Sequence, residues 1–303
     1  MKEQNVNPDP IKKSHWSDFR QLTKAGLAIS VVFSAIAGYL LGIDHWGSAN
    51  WWVLIALSVG GYCMVGASNA FNQVIERDLD ALMDRTKKRP VASGNMPVTQ
   101  ALITAGILTL IGMALLYAIN TKCAFFGGLS IFLYTSLYTP LKRLTPLSVF
   151  VGAIPGAIPF MLGWVAATDH FGIEAGTLFL IQFFWQFPHF WAIGWFLFDD
   201  YSKAGFFMLP TGKRDTATAL QTILYTFWLI VASLLPFTGY TGQLHLSIYA
   251  AISLGLLGVW LLYKAFQMYH IKTDKAAKSL MFGSIIYITL LQLIYILDKF
   301  IVQ

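Results

Sequence analysis

Charged residues are scarce in this chain, and their scarcity excludes most soluble folds. Aspartate, glutamate, lysine and arginine make up 12% of the 303 residues, whereas a soluble domain carries about 25%. Hydrophobic residues make up 56%, and the mean hydropathy is +0.59. The apolar residues form charge-free runs of about 18 to 25 residues, long enough to cross a hydrocarbon core of about 30 Å. This pattern excludes a disordered chain and a nucleic-acid-binding domain.

Cysteine is also scarce, because Cys63 and Cys123 are the only two. They lie far apart in apolar surroundings, which excludes a disulfide scaffold and a metal or redox pair. A small-x-small cleavage site is missing after the first apolar run. We therefore expect residues 1–23 to remain as an amino-terminal tail before a single membrane domain over residues 24–303.

The charge-free runs predict an all-α, polytopic membrane protein. Only helices or closed barrels satisfy the backbone in lipid, and these runs are too long and too continuous for barrel strands. Nine transmembrane helices are predicted, at about 25–43, 51–75, 98–119, 123–141, 146–167, 175–198, 217–237, 245–263 and 279–297.

The basic residues predict the orientation of these nine helices. Of the 21 lysines and arginines, all but Lys122 and Lys299 fall on one side of the predicted membrane. Loops rich in lysine and arginine face the cytoplasm. We therefore expect a cytoplasmic amino terminus, and the net charge of +6 requires no nucleic-acid partner.

A row of polar side chains follows the second predicted helix. Asn72, Glu76, Asp80 and Asp84 are spaced four residues apart, so on a continuing helix they share one face. Like charges about 6 Å apart repel by roughly 3 kcal/mol per pair at an effective dielectric of about 20. A divalent cation relieves this repulsion, and oxygen-only ligands favour Mg²⁺ shared with substrate phosphates. The row therefore predicts a Mg²⁺ site beside Asn72.

Basic residues come directly after this row and again after the fourth predicted helix. Arg85 and Arg89 are suited to phosphate oxygens, whereas positive-inside charge explains Lys87 and Lys88 equally well. At the inner end of the fourth helix, a further group either holds a diphosphate or forms an aromatic belt with basic charge. Its members are Tyr134, Tyr138, Lys142 and Arg143.

The sixth predicted helix carries the remaining candidates. Asp199 and Asp200 follow its inner end and either complete a second metal site facing the first or cap the membrane surface. Gln186 and His189 lie inside the span. An ionisable group inside a membrane is a functional candidate, and the alternative for His189 is a hydrogen-bonded core residue.

Several of these segments resemble known proteins. Asn-x-x-x-Glu-x-x-x-Asp (72–80), together with the acidic end of helix six, resembles the UbiA-type intramembrane prenyltransferase superfamily. Met-Asp-Arg-Thr-Lys-Lys-Arg-Pro (83–90), Trp-Gln-Phe-Pro-His-Phe (185–190) and Asp-Asp-Tyr-Ser-Lys-Ala-Gly (199–205) resemble its branch of protoheme IX farnesyltransferases, or haem O synthases. The resemblance covers about residues 20–300.

The resemblance implies a reaction and its partners. It implies Mg²⁺-dependent transfer of the farnesyl group of farnesyl diphosphate to a vinyl group of haem b, with water addition, giving haem O and diphosphate. It also implies a multi-pass protein of the cell (inner) membrane with its active site facing the cytoplasm. Contact with a haem A synthase or a terminal oxidase assembly is a further expectation.

The resemblance also implies roles for individual residues. Those expected to be catalytic are Asn72, Glu76, Asp80 and His189. Those expected to bind metal are Glu76, Asp80, Asp84, Asp199 and Asp200. Those expected to bind substrate are Arg85, Arg89, Tyr138, Lys142, Arg143, Gln186, Tyr201 and Lys203.

Two departures from the family pattern bear on the alternatives. Quinone-type members usually carry an acid directly after the motif's asparagine, whereas this chain has Gln73. Many haem O synthases carry Lys-Pro-Arg where this chain has Lys24-Ala-Gly26. The alternatives are a prenyltransferase acting on a quinone precursor or a chlorophyll-like alcohol, and an ion-coupled transporter, whose carboxylates would instead lie near the bilayer midplane.

Overall fold

The computed structural model describes residues 15–302, and within that range nine long helices correspond one to one to the nine predicted spans. Lys2, Lys12 and Lys13 of the predicted tail lie outside the described residues. The helices are α1 (Ala25–Gly42), α2 (Trp51–Ile75), α3 (Val98–Ile119), α4 (Thr121–Phe132), α5 (Ser148–Thr168), α6 (Ile173–Phe196), α7 (Thr216–Leu234), α8 (Ile248–Ile271) and α9 (Asp274–Leu297).

Eight of these helices are long and apolar enough to cross a membrane when α4, α7 and α9 are counted with the turns that continue them to Leu141, Thr238 and Val302, so the chain is a multi-pass membrane protein. The exception is α6, which has 24 residues but is less apolar. Its sequence includes Glu174, Gln182, Gln186 and His189. The count of nine spans and the orientation therefore stay predictions.

Helix α5 packs against α1 by direct backbone contact. A Cβ atom on Gly38 would lie 2.0 Å from the carbonyl oxygen of Phe160, and one on Gly163 would lie 1.9 Å from that of Ala35. Only glycine permits such an approach, as is common between membrane helices. Helix α5 also packs against α4 and α6, and α6 packs against α7 and α9, which places α5 and α6 at the centre of the bundle.

The pair Gly152 and Gly156 on α5 makes room for two side chains. A Cβ atom on Gly152 would lie 2.6 Å from the ring of Tyr138, and one on Gly156 would lie 2.0 Å from Oε1 of Gln186. The amide of Gln186 donates to the carbonyl oxygen of Ala153 at 2.8 Å. The two glycines thus fix the positions of a tyrosine and a glutamine that were both candidate site residues.

Helix α4 changes its winding as it approaches its inner end. It continues into a π-helical turn, Leu133–Tyr138, and a short α-helix, Thr139–Leu141. Single π-turns inside helices are frequent at functional sites. The Thr139 hydroxyl donates to the carbonyl oxygen of Tyr134 at 2.8 Å, five residues earlier. The turn sets the direction in which Tyr138 and the following Lys142 point.

Helices α8 and α9 extend further than the charge pattern predicted. Helix α8 ends at Ile271 rather than at 263, and α9 begins at Asp274 rather than at 279. Lys264 does not end α8, because its ammonium donates to the Ser279 hydroxyl at 3.1 Å and lies 5.1 Å from the Trp260 ring centroid. A long basic side chain can rest on apolar surface in this way.

Candidate active site

The site is built on the inner end of α2. The helix ends at Ile75, Glu76 is the turn residue that follows, and a short helix covers Arg77–Asp80. The backbone bonds from Glu76 to Asn72 (2.9 Å) and from Asp80 to Glu76 (2.7 Å) keep the four-residue spacing, so these three side chains share one face. All three are buried. The expectation that this row continues to Asp84 is wrong, because the chain turns away after Asp80.

Glu76 forms a buried ion pair with the end of α4. The Lys142 ammonium lies 2.8 Å from Oε1 of Glu76, and the two side chains are 9% and 4% exposed. The same ammonium lies 4.5 Å from the ring centroid of Tyr138. Asn72 joins the same two elements, since its amide donates to the Thr139 hydroxyl at 3.2 Å. The structure therefore brings Asn72, Glu76, Tyr138 and Lys142 together.

Asp80 is paired with Arg89. The guanidinium donates to both carboxylate oxygens, at 2.9 and 2.7 Å, and the Asp80 side chain is fully buried. Burial raises the pKa of Asp80, while the Arg89 charge acts in the opposite direction. The Thr86 hydroxyl donates to the Asp80 carbonyl oxygen at 2.9 Å, which closes the loop between the two partners. Arg89 is thus held beside Asp80, and its role as a phosphate ligand stays a prediction.

Lys24 is a third cation at this site, and sequence reasoning missed it. Burial lowers the pKa of Lys24 well below its usual range, and the nearby charges of Arg89 and Lys142 lower it further, while Glu76 opposes them. Lys24 has a backbone φ of 47°, in the left-handed region, at the start of α1. Its position directly before the first apolar run was the signal available in the sequence.

Gln73 and Asn69 hold the turn that carries Lys24. The Gln73 amide donates to the carbonyl oxygens of Gln21 (2.9 Å) and Leu22 (3.1 Å), and the Asn69 amide donates to that of Thr23 (3.3 Å). A carboxylate at position 73 would have no hydrogen to donate to these carbonyl groups. The glutamine therefore has a structural role in this chain.

Asp200 faces the loop after the Asp80 turn. Its carboxylate accepts from the backbone N–H groups of Asp84 (2.7 Å) and Arg85 (3.3 Å), and Lys203 bonds to both Asp84 and Asp200. Burial by itself would raise the pKa of Asp200. The hydrogen bonds from the Asp84 and Arg85 backbone and from Lys203 outweigh this effect, so the pKa is lowered. Hydrogen bonds from Lys203 and Lys87 lower the pKa of Asp84 to about 2.

Other predicted residues lie at the edge of this loop contact. The Arg85 guanidinium lies 5.7 Å from the Tyr201 ring centroid, and Asp199 pairs with Arg214 at 2.8 Å. Arg143 is exposed, and within residues 15–302 its guanidinium makes no hydrogen bond or ion pair. The structure thus brings Lys142 to Glu76 but leaves its neighbour Arg143 outside.

The two polar candidates on α6, Gln186 and His189, contact α5 and α9. His189 Nδ1 lies 2.9 Å from the Ser284 hydroxyl of α9, and its ring stacks on Trp185 with centroids 4.7 Å apart. Gln186 bonds to α5, as described above. Among residues 15–302, neither side chain has a direct polar contact with Glu76 or Asp80.

The donor set around α2 is suitable for Mg²⁺ when substrate supplies further oxygens. Glu76 and Asp80 offer hard carboxylate oxygens on one face, and Mg²⁺ is usually bound by one or two carboxylates plus substrate phosphates. No group of three or more His, Cys, Asp or Glu side chains within residues 15–302 is arranged to hold a metal by itself. The metal roles of Asp84, Asp199 and Asp200 therefore stay predictions.

Arg89 and Lys142 each pair with one of these two carboxylates, and Lys24 is a further basic side chain close enough to interact electrostatically with Glu76, Arg89 and Lys142. Such a site, at the end of an apolar helix bundle, suits an anionic head group attached to an apolar chain. Residues 31–286 match the UbiA prenyltransferase family. The chain belongs to this family and is a membrane prenyltransferase.

Relatives of known name agree with this assignment. The chain is 68% identical to a protoheme IX farnesyltransferase of Flavobacterium johnsoniae over 288 residues, which is 95% of this chain and 96% of the relative. It is 65% identical to that of Flavobacterium psychrophilum, covering 97% and 98% of the two chains.

Two solved structures share the fold. A digeranylgeranylglyceryl phosphate synthase has a TM-score of 0.77 at 15% identity, covering 94% and 98% of the two chains. A UbiA homologue from Archaeoglobus fulgidus bound to GPP and Mg²⁺ has a TM-score of 0.60 at 13% identity, covering 92% and 99%. At these identities the likeness concerns the fold alone.

Proposed function

We propose that this chain is a haem O synthase, which transfers the farnesyl group of farnesyl diphosphate to a vinyl group of haem b. The observation that carries the proposal is the buried pair of carboxylates, Glu76 and Asp80, among Lys24, Arg89 and Lys142. The names of the relatives at 62–68% identity supply the acceptor, protohaem IX.

The diphosphate binds where these cations converge. Arg89 is suited to two phosphate oxygens at once, and the ammonium groups of Lys24 and Lys142 supply compact positive charge. Glu76 and Asp80 would hold Mg²⁺, which neutralises charge on the departing diphosphate. With Mg²⁺ on the carboxylates, Arg89 and Lys142 would be free to bond to the diphosphate oxygens instead. Catalysis is mainly electrostatic stabilisation of the leaving group in a site that excludes stray water.

Farnesyl transfer breaks a carbon–oxygen bond of the diphosphate and forms a carbon–carbon bond to the haem. The bond between farnesyl C1 and the diphosphate oxygen breaks, and the electron pair leaves with diphosphate. The haem vinyl group attacks the resulting allylic cation, which forms a carbon–carbon bond and moves the positive charge to the adjacent vinyl carbon. Water adds there and releases a proton, giving the hydroxyethylfarnesyl side chain of haem O.

The remaining assignments of the proposal concern setting and partners. We place the site on the cytoplasmic side of the cell membrane, because the basic loops surround it. Asn72, held by Thr139, orients the site. The roles of His189, Gln186, Tyr138, Tyr201 and Lys203 toward substrate are part of the proposal, and contact with a haem A synthase or an oxidase assembly stays a prediction.

The proposal is tested in a host that lacks haem O. The wild-type chain, Glu76→Gln and Asp78→Asn are expressed. Haems are extracted from the membranes, separated by chromatography and identified by their masses. Asp78 is a matched control because it lies two residues away and its side chain is 95% exposed. We expect haem O from the wild type and Asp78→Asn only.

Two other outcomes contradict parts of the proposal. Haem O from Glu76→Gln at the wild-type level would remove Glu76 from an essential role. Absence of haem O from all three, with inserted protein and haem b present, would refute the haem assignment and leave a quinone precursor as the acceptor class to test.

A further inference from the structure

Helix α2 presents two adjacent faces at its inner end. One face carries the row of the candidate site, which begins with Asn72 and Glu76. The other carries Gly66, Asn69 and Gln73, whose spacing of three and four residues places them on one face of a helix. Gln73 directly follows Asn72, about 100° around the helix. A segment that docks on the second face is therefore held at a fixed distance from the first.

The segment that docks there is the turn of residues 21–24, which joins a short helix, His15–Leu22, to α1. Gly66 allows its close approach, since a Cβ atom at Gly66 would lie 3.3 Å from the methyl carbon of Thr23. The Thr23 hydroxyl also lies 3.3 Å from that of Tyr62, one turn earlier on α2. The turn is therefore packed directly on the surface of α2.

Side-chain amides of α2 supply hydrogen bonds to this turn. Gln73 donates to two of its carbonyl oxygens, at 2.9 and 3.1 Å, and Asn69 donates to a third, at 3.3 Å. Carbonyl groups at the end of a helix have no partner within it, so they need such donors. The oxygens of both amides are buried and have no partner within residues 15–302. The two side chains therefore act here as donors, which a carboxylate cannot do.

Lys24 leaves this turn in a conformation that lysine rarely adopts. Its φ of 47° lies in the left-handed region, just after a helix end, where glycine is usual. An L side chain is strained in this region and keeps the conformation only when its surroundings hold it. The three carbonyl groups that Asn69 and Gln73 bind directly precede Lys24 in the chain. These two amides therefore hold the conformation of Lys24.

Lys24 is also the one cation of the candidate site without a counter-ion. Arg89 and Lys142 each pair with a carboxylate, whereas the Lys24 ammonium forms no hydrogen bond or ion pair within residues 15–302. Its charge nevertheless interacts with those of Glu76, Arg89 and Lys142. A partly buried charge without a partner is unfavourable. The ammonium is therefore available to an anionic ligand that enters the site.

We propose that Asn69 and Gln73 are positioning residues for Lys24. Their amides hold the left-handed turn on α2, so that the Lys24 ammonium lies beside the carboxylate row and binds the diphosphate group of the prenyl substrate. The inference rests on the proposed function for this diphosphate, but it does not depend on the identity of the acceptor.

A double-mutant cycle in the full chain tests whether Gln73 acts through Lys24. The probe is farnesyl thiodiphosphate, in which sulfur replaces the oxygen that joins farnesyl C1 to the diphosphate and slows cleavage. Its binding with Mg²⁺ is measured by calorimetry in nanodiscs. The variants are Gln73→Met, Lys24→Met and their combination, with Asn69→Leu in parallel. Gln100→Met is the control, because Gln100 is an exposed glutamine on α3.

We expect Lys24→Met to weaken binding about tenfold, as for the loss of one hydrogen bond to a charged group. Gln73→Met and Asn69→Leu should each weaken it by about the same factor. Adding Lys24→Met to either should weaken it no further, because residues that act through one another are not additive. Gln100→Met should bind like the wild type.

Steady-state kinetics separate positioning from a general structural role. Gln73→Met should raise the KM for farnesyl diphosphate about tenfold and leave the KM for haem b unchanged. A loss of folded protein would lower only the apparent kcat, because the remaining active molecules keep their affinity.

Three outcomes contradict the inference, and they can be told apart. Wild-type binding by Gln73→Met, or losses that add up in the double variant, would overturn the positioning role. Wild-type binding by Lys24→Met would overturn the role of its ammonium. Absence of binding by the wild type would refute the proposed function on which the inference rests.

A second measurement uses the wild-type chain alone, so it does not depend on the folding of a variant. Hydrogen exchange of the backbone N–H groups of residues 21–26 is followed with and without Mg²⁺ and farnesyl thiodiphosphate. Slower exchange with the ligand is expected, because a diphosphate bound by Lys24 stabilises the turn against local opening. An unchanged rate at saturating ligand would refute the contact.

Discussion

The buried ion pair between Glu76 and Lys142 gives the sharpest test of the site's energetics. Its atoms lie 2.8 Å apart, and both side chains are at least nine-tenths buried. Replacing Lys142 with methionine removes the ammonium and keeps the rest of the unbranched chain at nearly the same volume. We expect a large loss of stability in the ligand-free protein, because the Glu76 carboxylate then remains buried without its partner.

The magnitude follows from the geometry. At 2.8 Å and an effective dielectric of about 20, the attraction is about 6 kcal/mol before desolvation is subtracted. Desolvation of two charges offsets most of this gain, so the intact pair adds little net stability. Removal of one partner costs about 3–5 kcal/mol, whereas replacement of both by apolar residues is often neutral or stabilising.

Reversible unfolding in mixed micelles, followed by circular dichroism, measures these differences. The variants are Lys142→Met, Arg143→Met and the double variant Glu76→Leu with Lys142→Met. Arg143 is the matched control because it is adjacent in sequence, exposed and without an ion pair among residues 15–302. We expect only Lys142→Met to be strongly destabilised, and the double variant to recover most of the loss.

Two results would refute the reasoning. If Lys142→Met unfolds at the same point as Arg143→Met, the carboxylate is not isolated when the ammonium is removed. If the double variant is as unstable as Lys142→Met, the loss comes from packing rather than from an unpaired charge.

Three further predictions concern packing and the inner loops. Gly163→Ala should lower the free energy of unfolding by more than about 1–3 kcal/mol, because the new Cβ would lie 1.9 Å from a carbonyl oxygen. Gly176→Ala is the control and should not destabilise the protein, because the space around Gly176 is open. Unfolding in micelles compares the two variants. Asp200→Asn should increase hydrogen exchange of the backbone N–H of Asp84, and an unchanged rate would contradict the contact. The pKa of Asp84, about 2, lies below the usual value of about 3.9. The ion pairs of Asp84 should therefore stabilise the loop fully at pH values above its usual pKa, and this stabilisation should be lost as the pH falls through about 2. Infrared difference spectra against Asp84→Asn should detect a carboxylate band that persists below about pH 3.9.

Much of the fold could be predicted from the sequence, because lipid imposes simple rules. Charge-free length marks each helix, since a backbone in hydrocarbon must satisfy its own hydrogen bonds. Helix ends were less accurate where a basic side chain lies on apolar surface. Lys264 marked a predicted end at 263, but its contacts with Trp260 and Ser279 allow α8 to continue to Ile271.

The site was predicted only in part. Four-residue spacing correctly placed Asn72, Glu76 and Asp80 on one face, because the backbone hydrogen bonds of α2 continue through the short helix. The same rule failed at Asp84, where the chain turns and the carboxylate bonds to Lys87 and Lys203 instead. Local spacing carries information only as far as the helix does.

By itself, the sequence determined the class of the molecule and the chemistry available to it: an all-helical membrane protein with carboxylates, arginines and lysines grouped at predicted inner helix ends. Only the tertiary structure decided which of these groups meet. It paired Glu76 with Lys142 across 66 positions, brought Lys24 into the same site, and directed His189 toward α9. The reason is physical, because side-chain spacing along one helix is set by local geometry, whereas contacts between helices depend on how closely their surfaces can pack.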